Sequence, residues 1–266
     1  MNIIVTGASG TIGTELCIQL LEYGHNLIGI DWRTNKFNEQ VNQLTIQHDL
    51  RKPMCVDAFE MIDVVVHLAA NARVYDLVLN PELAQDNTST VFNAINMARD
   101  LGAQFIFASS RETYGNVDIE KPAEGDASFQ NCESAYTASK IYGEALCLAY
   151  NRCYDFLCAG NSMPCTILRF SNVYGKYDFS DRFIPLCFKR LSNDEPLGIF
   201  GEEKELDFTY ISDAVAGIML AIDSDIAHGM PTLNIASGVG SKLIDVANMM
   251  GDMLGSKSPI TIGENR

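Results

Sequence analysis

Short apolar runs alternate along this chain with longer stretches in which apolar residues return at helical spacing. The runs at 2–6, 26–30, 44–47, 62–67 and 104–108 have the length of buried strands, while 11–23, closed near Gly24, and 81–101 carry the helical pattern. A second long helix is expected over 134–154, leading into a strand at 165–170. This alternation predicts an α/β fold, a doubly wound parallel sheet with helices on both faces. Beyond Tyr174 the rhythm gives way to loops, short helices and isolated strands such as 196–200 and 232–235, which predicts a smaller C-terminal lobe laid over the sheet edge. The expected division is 1–175 for the sheet domain and 176–266 for the lobe, the lobe interleaved with the main domain and short at its end.

Composition narrows the function classes. With 266 residues, 47% of them hydrophobic and 20% charged, the chain can bury a sizeable core, and disorder is not expected. No run approaches the ~18 uninterrupted apolar residues of a membrane helix, and the N-terminus enters its first strand without a basic leader, so a cytoplasmic location is expected. A net charge of −15 argues against nucleic-acid or anionic-membrane partners, which need a basic face. An anionic ligand would have to be held locally, by amides at a helix start and one or two arginines. The 8 cysteines show no CxxC pair and the 4 histidines no HExxH-like spacing, so neither a metal site nor a disulfide framework is expected.

Candidate chemistry begins at Thr6-Gly7-Ala8-Ser9-Gly10-Thr11-Ile12-Gly13, between the first strand and the first helix. Glycines there allow a tight turn and let a pyrophosphate approach the helix N-terminus, where amides and the helix dipole favour an anion. A glycine triplet alone is a weak signal, but its place at the start of a βαβ series points to a Rossmann-type dinucleotide site. Asp31 ends the second strand, where a carboxylate accepts hydrogen bonds from the adenosine ribose and repels a 2′-phosphate, which favours NAD over NADP. Arg33 nearby leaves some tolerance for NADP. Asp49, followed by Leu50, could bind the adenine amino group, although an aspartate at a strand end is common.

Tyr136 and Lys140 are spaced i and i+4 and would share one face of a helix. A tyrosine with an ordinary pKa of about 10 is a poor base, but an adjacent ammonium and a cationic nicotinamide both favour the phenolate. Phenolate can then take a hydroxyl proton as hydride leaves the same carbon. Tyr-x-x-x-Lys is frequent by chance. Upstream, however, Ser109-Ser110 closes the fifth apolar run at the carboxyl edge of the sheet, where a hydroxyl can hold a substrate oxygen.

Together with His67-Leu68-Ala69-Ala70, Asn87, Tyr114-Gly115, the run from Leu168-Arg169-Phe170 to Tyr174-Gly175, and Asp207 to Asp213, these motifs span nearly the whole chain in order. In this the chain resembles an extended short-chain dehydrogenase/reductase, in the branch of NAD-dependent nucleotide-sugar epimerases and dehydratases. The resemblance implies Ser110, Tyr136 and Lys140 as the catalytic residues. NAD would meet Gly7, Ser9, Gly10, Thr11, Ile12, Gly13, Asp31, Arg33, Asp49 and Leu50 at its adenosine end. Leu68, Ala69, Ala70, Tyr136, Lys140, Phe170 and Val173 would line the nicotinamide end, with Asn87 in a structural, water-ordering role. Asn172 would touch the diphosphate of the sugar nucleotide, and Arg73, Ser110, Arg111, Arg182, Phe200 and Arg266 are the other candidate substrate contacts.

Two departures from the family pattern bear on the substrate. The family usually places an arginine immediately before Asp207-Phe208, where it grips the diphosphate; here that position is Leu206, and Arg182 or Lys204 would have to serve. Relatives normally run further than Arg266, which stands where the family places a second phosphate-binding arginine. The resemblance implies oxidation at C4 of a UDP- or dTDP-linked sugar and return of the hydride, so that NAD is recycled. Epimerisation at C4 is the leading expectation, with 4,6- or 5,6-dehydration or decarboxylation as the alternative. That alternative is raised by Glu112, because family dehydratases and decarboxylases tend to carry an acidic residue two positions before Tyr-Gly. A carboxylate there could remove an acidic C5 proton. The acid that dehydratases place just before it is replaced by Arg111, which cannot donate a proton usefully. Glu112 and Arg111 could equally form a loop ion pair. A net oxidoreductase on another substrate, or an inactive dinucleotide-binding scaffold, are the remaining classes. A homodimer is expected, paired through the two long helices, which carry apolar residues on more than one face (Val91, Phe92, Ile95; Ile141, Leu146, Leu148).

Overall fold

Each apolar run of the first half becomes a strand in the computed structural model, which describes residues 1–117, 119, 121–157, 163–201, 203–224 and 231–263. In chain order the elements are β1 (Asn2–Thr6), α1 (Thr11–Glu22), β2 (Asn26–Asp31), α2 (Glu39–Gln43), β3 (Thr45–Gln47), β4 (Val64–His67), α3 (Val74–Leu79), α4 (Glu82–Leu101), β5 (Gln104–Ser110) and α5 (Ala135–Leu157). There follow β6 (Cys165–Phe170), β7 (Asn172–Tyr174), α6 (Phe183–Ser192), β8 (Leu197–Phe200), β9 (Glu205–Tyr210), α7 (Ile211–Asp223), β10 (Thr232–Ile235), β11 (Gly240–Lys242), α8 (Leu243–Leu254) and β12 (Ile260–Gly263). No helix among the described residues is long and apolar enough to cross a membrane.

Seven parallel strands form the central sheet in the order β10-β6-β5-β4-β1-β2-β3. The order reverses between β1 and β4, and a crevice opens at the carboxyl ends of strands at such a reversal. Strands covered on both faces read as continuous apolar runs, which is why β4 is Val-Val-Val-His with all four residues buried. On one face Ile4, Ile30, Val65, Phe105, Phe107 and Ile167 meet Val91, Ala94, Ile95 and Ala98 of α4 and Cys147 of α5. The buried α4 positions Asn87, Val91, Ala94, Ile95 and Ala98 recur at helical spacing. Full burial of each large side chain contributes about 1.5–3 kcal/mol. The helix stops at Gly102, whose φ of 66° is left-handed and suited to a residue without a Cβ.

The chain divides into two compact units, Met1–Phe170 with Ser212–Ile235, and Ser171–Ile211 with Ala236–Arg266. Two expectations change here. Residues 232–235, read as an isolated strand of the lobe, are the edge strand of the central sheet, pairing in parallel with β6 from Thr232↔Ile167 to Ile235↔Phe170. A four-residue run carries no local signal for which sheet it joins; the partner is chosen by backbone pairing across a long sequence separation. The sheet unit gives way to the second unit after Phe170, ahead of the expected boundary at Gly175, and recovers the chain from Ser212 to Ile235. The second unit contains a three-stranded sheet, β11-β9-β7, and a two-stranded one, β12-β8. Its own core gathers Cys187 and Leu191 of α6, Leu197 and Ile199 of β8, and Leu243 and Ala247 of α8.

Candidate active site

The turn from β1 to α1 is made of backbone. Gly7 has φ 74°, its N–H donates to Ile30 O at 2.8 Å, and its carbonyl accepts the Gly10 N–H at 2.9 Å. A Cβ on Gly13 would lie 2.1 Å from Gly7 O, and one on Gly7 would lie 2.8 Å from Ala69 N, so neither position admits a side chain without moving backbone. No side chain caps Gly10 at the start of α1. The helix start is therefore a smooth cradle of amides at its positive end. Ser9 and Asp31 are buried, while Thr11 and Ile12 lie in the first turn of α1.

A cleft of about 290 Å³ lies beside this turn, lined by Gly7, Gly10, Asp31, Trp32, Arg33, His48, Asp49, Leu50, Arg51, Leu68, Ala69, Ala70, Asn71, Asp86, Asn87 and Thr90, among others. The Asp31 carboxylate accepts the Ser9 N–H at 3.0 Å and the Arg33 N–H at 2.9 Å, which aims it along the cleft wall. Asp49 lines the same cleft. Its carboxylate is gripped by Arg51, at 2.8 Å from Nη2, and Arg51 also reaches Asp86 at 3.3 Å. The hydrogen bonds from Arg51 hold the Asp49 carboxyl down at about 2. Arg51 further lies 5.9 Å from the Trp32 ring centroid. Trp32, Arg51, Asp86 and Thr90 were not singled out from sequence; the Asp31–Arg33 and Asp49–Arg51 spacings were the available signal for the first two.

Asn87 is buried on α4 and clamps the loop after β4 from both sides. Its Oδ1 accepts the Asn71 N–H at 2.7 Å and its Nδ2 donates to Asn71 O at 3.1 Å. The same Nδ2 donates to Ser139 Oγ at 3.2 Å, and Ser139 donates to the Tyr136 carbonyl at 2.7 Å. The loop Leu68–Asn71 is thus tied to the helix that carries Tyr136 and Lys140.

Tyr136 and Lys140 sit on the buried face of α5. Lys140 Nζ donates to Ala108 O at 2.7 Å and lies 5.7 Å from the Tyr136 ring centroid. Burial pushes the Lys140 ammonium down to about 8, opposed by the Glu144 carboxylate one turn on. From β4, His67 shares a hydrogen bond of 2.8 Å with Thr6 Oγ1, and burial followed by the Lys140 charge holds it neutral, down to about 3. Ser110 ends β5, two residues beyond the carbonyl that holds Lys140. Its Oγ accepts the Glu112 N–H at 3.2 Å, which fixes the rotamer and leaves its own hydrogen to donate. Arg111 and Glu112 form an ion pair of 2.8 Å at this turn.

A second polar cluster, which sequence reasoning missed as a cluster, runs behind Ser110. Arg169 on β6 donates to Glu144 through Nε at 2.9 Å and Nη2 at 2.7 Å, and through Nη1 to Tyr114 Oη at 3.1 Å. Ser109 donates to Glu144 at 2.5 Å, and Tyr114 donates to Asn234 on β10 at 2.5 Å. Burial disfavours the Arg169 charge, but the bonds to Glu144 and Tyr114 outweigh that and raise its pKa. The visible signal for Glu144 was its place one turn after Lys140.

Other candidates fall as follows. Arg73 precedes α3 and pairs with Asp76 at 3.5 Å. Phe170 ends β6 and is buried. In the second unit, Asn172 and Val173 lie on β7, with Asn172 Nδ2 donating to Asp207 O at 2.9 Å. Arg182 immediately precedes α6 without a side-chain bond to the helix start, and Phe200, at the end of β8, is exposed. Leu206, standing where the resemblance implies an arginine, packs against the apolar cluster of this unit. Arg266 lies outside the described residues.

Comparison with known proteins agrees with this geometry. Residues 3–236 match the model of the NAD dependent epimerase/dehydratase family. A Bacillus subtilis protein named as an uncharacterized UDP-glucose epimerase, YtcB, is 31% identical over 277 residues, covering 98% of this chain and 84% of the relative. The solved structure of MoeE5 in complex with UDP-glucose and NAD superposes with a TM-score of 0.86 at 28% identity, over 100% of this chain and 86% of that one. The UDP-glucose 4-epimerase of Thermotoga maritima, solved with UDP-glucose, shares the fold with a TM-score of 0.87 at 24% identity, again over 100% of this chain and 86% of that one.

Proposed function

The chain belongs to the NAD-dependent epimerase/dehydratase family, and from that premise we propose that it inverts C4 of a UDP-linked sugar by oxidation there and return of the hydride. The observation that carries this reading is the meeting of α5 and β5: Tyr136 and Lys140 on one buried helix face, with Lys140 bonded to the strand two residues before Ser110. The residues present fit NAD. The cradle at Gly7, Gly10 and Gly13 is one that a Cβ would fill, and the cleft beside it runs along Asp31.

NAD, when bound, supplies the acceptor and source of hydride. Ser110 donates its hydroxyl to the C4 oxygen and holds it. Tyr136 takes the C4 hydroxyl proton as the C4–H bond breaks and gives a proton back when the ketone is reduced from its other face. Lys140, as an ammonium ion, favours the phenolate form of Tyr136 and reaches the nicotinamide ribose. Neutral His67 adds no positive charge beside Lys140. Asn172 is proposed to touch the nucleotide diphosphate, with Arg182 as a further group for it, and Phe200 is proposed as a contact elsewhere on the substrate. YtcB and MoeE5 are named for, or solved with, UDP-glucose, which supports UDP as the nucleotide.

The test is incubation with a panel of UDP-sugars in D₂O, read by mass spectrometry and NMR. Inversion at C4 at unchanged mass, with no deuterium at C5, is expected. A product lighter by water or carbon dioxide would sink the epimerase reading. Glu112, beside Ser110, favours that second reading: if elimination occurs, Glu112→Gln should abolish deuterium incorporation at C5. The ion pair with Arg111 supports Glu112 as a structural residue instead. Val91 and Ile95 are buried within the unit, whereas Phe92 on α4 and Tyr142 on α5 stay exposed and would serve a second copy; a light-scattering mass near 29.3 kDa would exclude that dimer.

A further inference from the structure

Glu144 lies one turn beyond Lys140 on the same face of α5, and none of the roles above uses it. Its carboxylate takes three bonds: Ser109 Oγ at 2.5 Å, Arg169 Nε at 2.9 Å and Arg169 Nη2 at 2.7 Å. Lys140 hangs from Ala108 O at 2.7 Å, so helix and strand are joined at two successive residues immediately before Ser110. The groups that face Lys140, among the described residues, are Tyr136 and Glu144 from its own helix, His67 from β4, and the Ala108 carbonyl and Phe107 ring from β5. Arg169 of β6 stands on the far side of Glu144, which compensates it. His67 is neutral, so the permanent anion in this set is Glu144.

We propose that Glu144 is a positioning residue for the Tyr136–Lys140 pair, holding α5 in register with the end of β5 and supplying the counter-charge that keeps buried Lys140 an ammonium ion. A buried ammonium is disfavoured unless an anion stands near it. With the glutamate neutralised, Lys140 would lose that anion and feel the uncompensated Arg169 charge, and both changes act in the same direction. The inference rests on the proposed contact of Lys140 with the nicotinamide ribose.

The experiment is calorimetric affinity of the protein for NAD from about pH 6 to about pH 10, where lysine deprotonation is read as an alkaline loss of binding. Glu144→Gln keeps the shape and still accepts the Ser109 hydroxyl. Its affinity at the acid end should stay within about twofold, while the alkaline loss should begin about one pH unit lower or more. Glu144→Asp should move it back. An alkaline loss at unchanged pH in Glu144→Gln overturns the proposal. Should that variant not fold, Glu144→Gln/Arg169→Met removes both charges of the pair. A folded double variant with the loss still displaced supports the proposal, and one with the loss restored reduces Glu144 to a structural ion pair and overturns it. Failure of the unaltered protein to turn over any UDP-sugar would defeat the proposed function without touching this titration. An undisplaced titration with normal turnover would defeat this inference alone.

Discussion

The two polar halves of the sheet unit, on either side of the reversal in strand order, are built by different means. The half at β1, β2 and β3 is made of backbone: glycines without Cβ, amides at the start of α1, and a carboxylate oriented by two N–H groups. The Arg51–Asp49 pair there is open to water, with side chains 46% and 33% exposed, while Asp31 is buried against backbone N–H groups. The half at β4, β5, β6 and α5 is made of buried side chains, with Arg169 and Glu144 only 7% and 15% exposed. The first kind of construction tolerates change outside its glycines. In the second, each polar group depends on its neighbour, because a buried group left unpaired costs its desolvation in full.

The largest expected effect tests whether chemistry is confined to the second half. Tyr136→Phe should lower turnover by about 10²–10⁴-fold while NAD affinity holds, since the ring still packs and only the proton carrier is lost. Undiminished turnover would take the tyrosine out of the mechanism. Next, the two arginines should separate sharply in denaturant melts. Arg169→Met leaves Glu144 buried without its partner and should destabilise the fold by about 3–5 kcal/mol. Arg51→Met should change stability little, and added salt should erase what difference remains. Equal destabilisation by both would dissolve the contrast drawn above. The smallest effect lies in the first half: Asp31→Asn should weaken NAD by roughly 1–3 kcal/mol and narrow the preference over NADP. An unchanged NAD-to-NADP ratio by calorimetry would mean that the ribose is held elsewhere.

That contrast also explains what was legible in the amino-acid sequence. The glycine turn, Asp31 at the end of β2 and the Tyr136–Lys140 spacing are local patterns, and each was readable within a few residues. That six strands run parallel followed from strand and helix alternation, though not their order in the sheet. What escaped was set by distance along the chain. Glu144 meets Arg169 and Ser109, Tyr114 meets Asn234, and β10 pairs with β6, all through contacts that no window of sequence contains. Arg51 escaped for another reason: a cation two residues after Asp49 is an ordinary surface pattern until Trp32 and Asp86 are seen around it.

The late arrival of β10 sets an order of events during synthesis. Six strands of the sheet have left the ribosome once Phe170 emerges, but the seventh, Thr232–Ile235, follows only after the first segment of the second unit has been made. In that interval β6 offers an open row of N–H and C=O groups, a template on which another nascent chain can pair. Closing it joins residues far apart in sequence, which slows the step further. Between Phe170 and Ile235 the growing chain thus carries an unpaired sheet edge that the finished one covers.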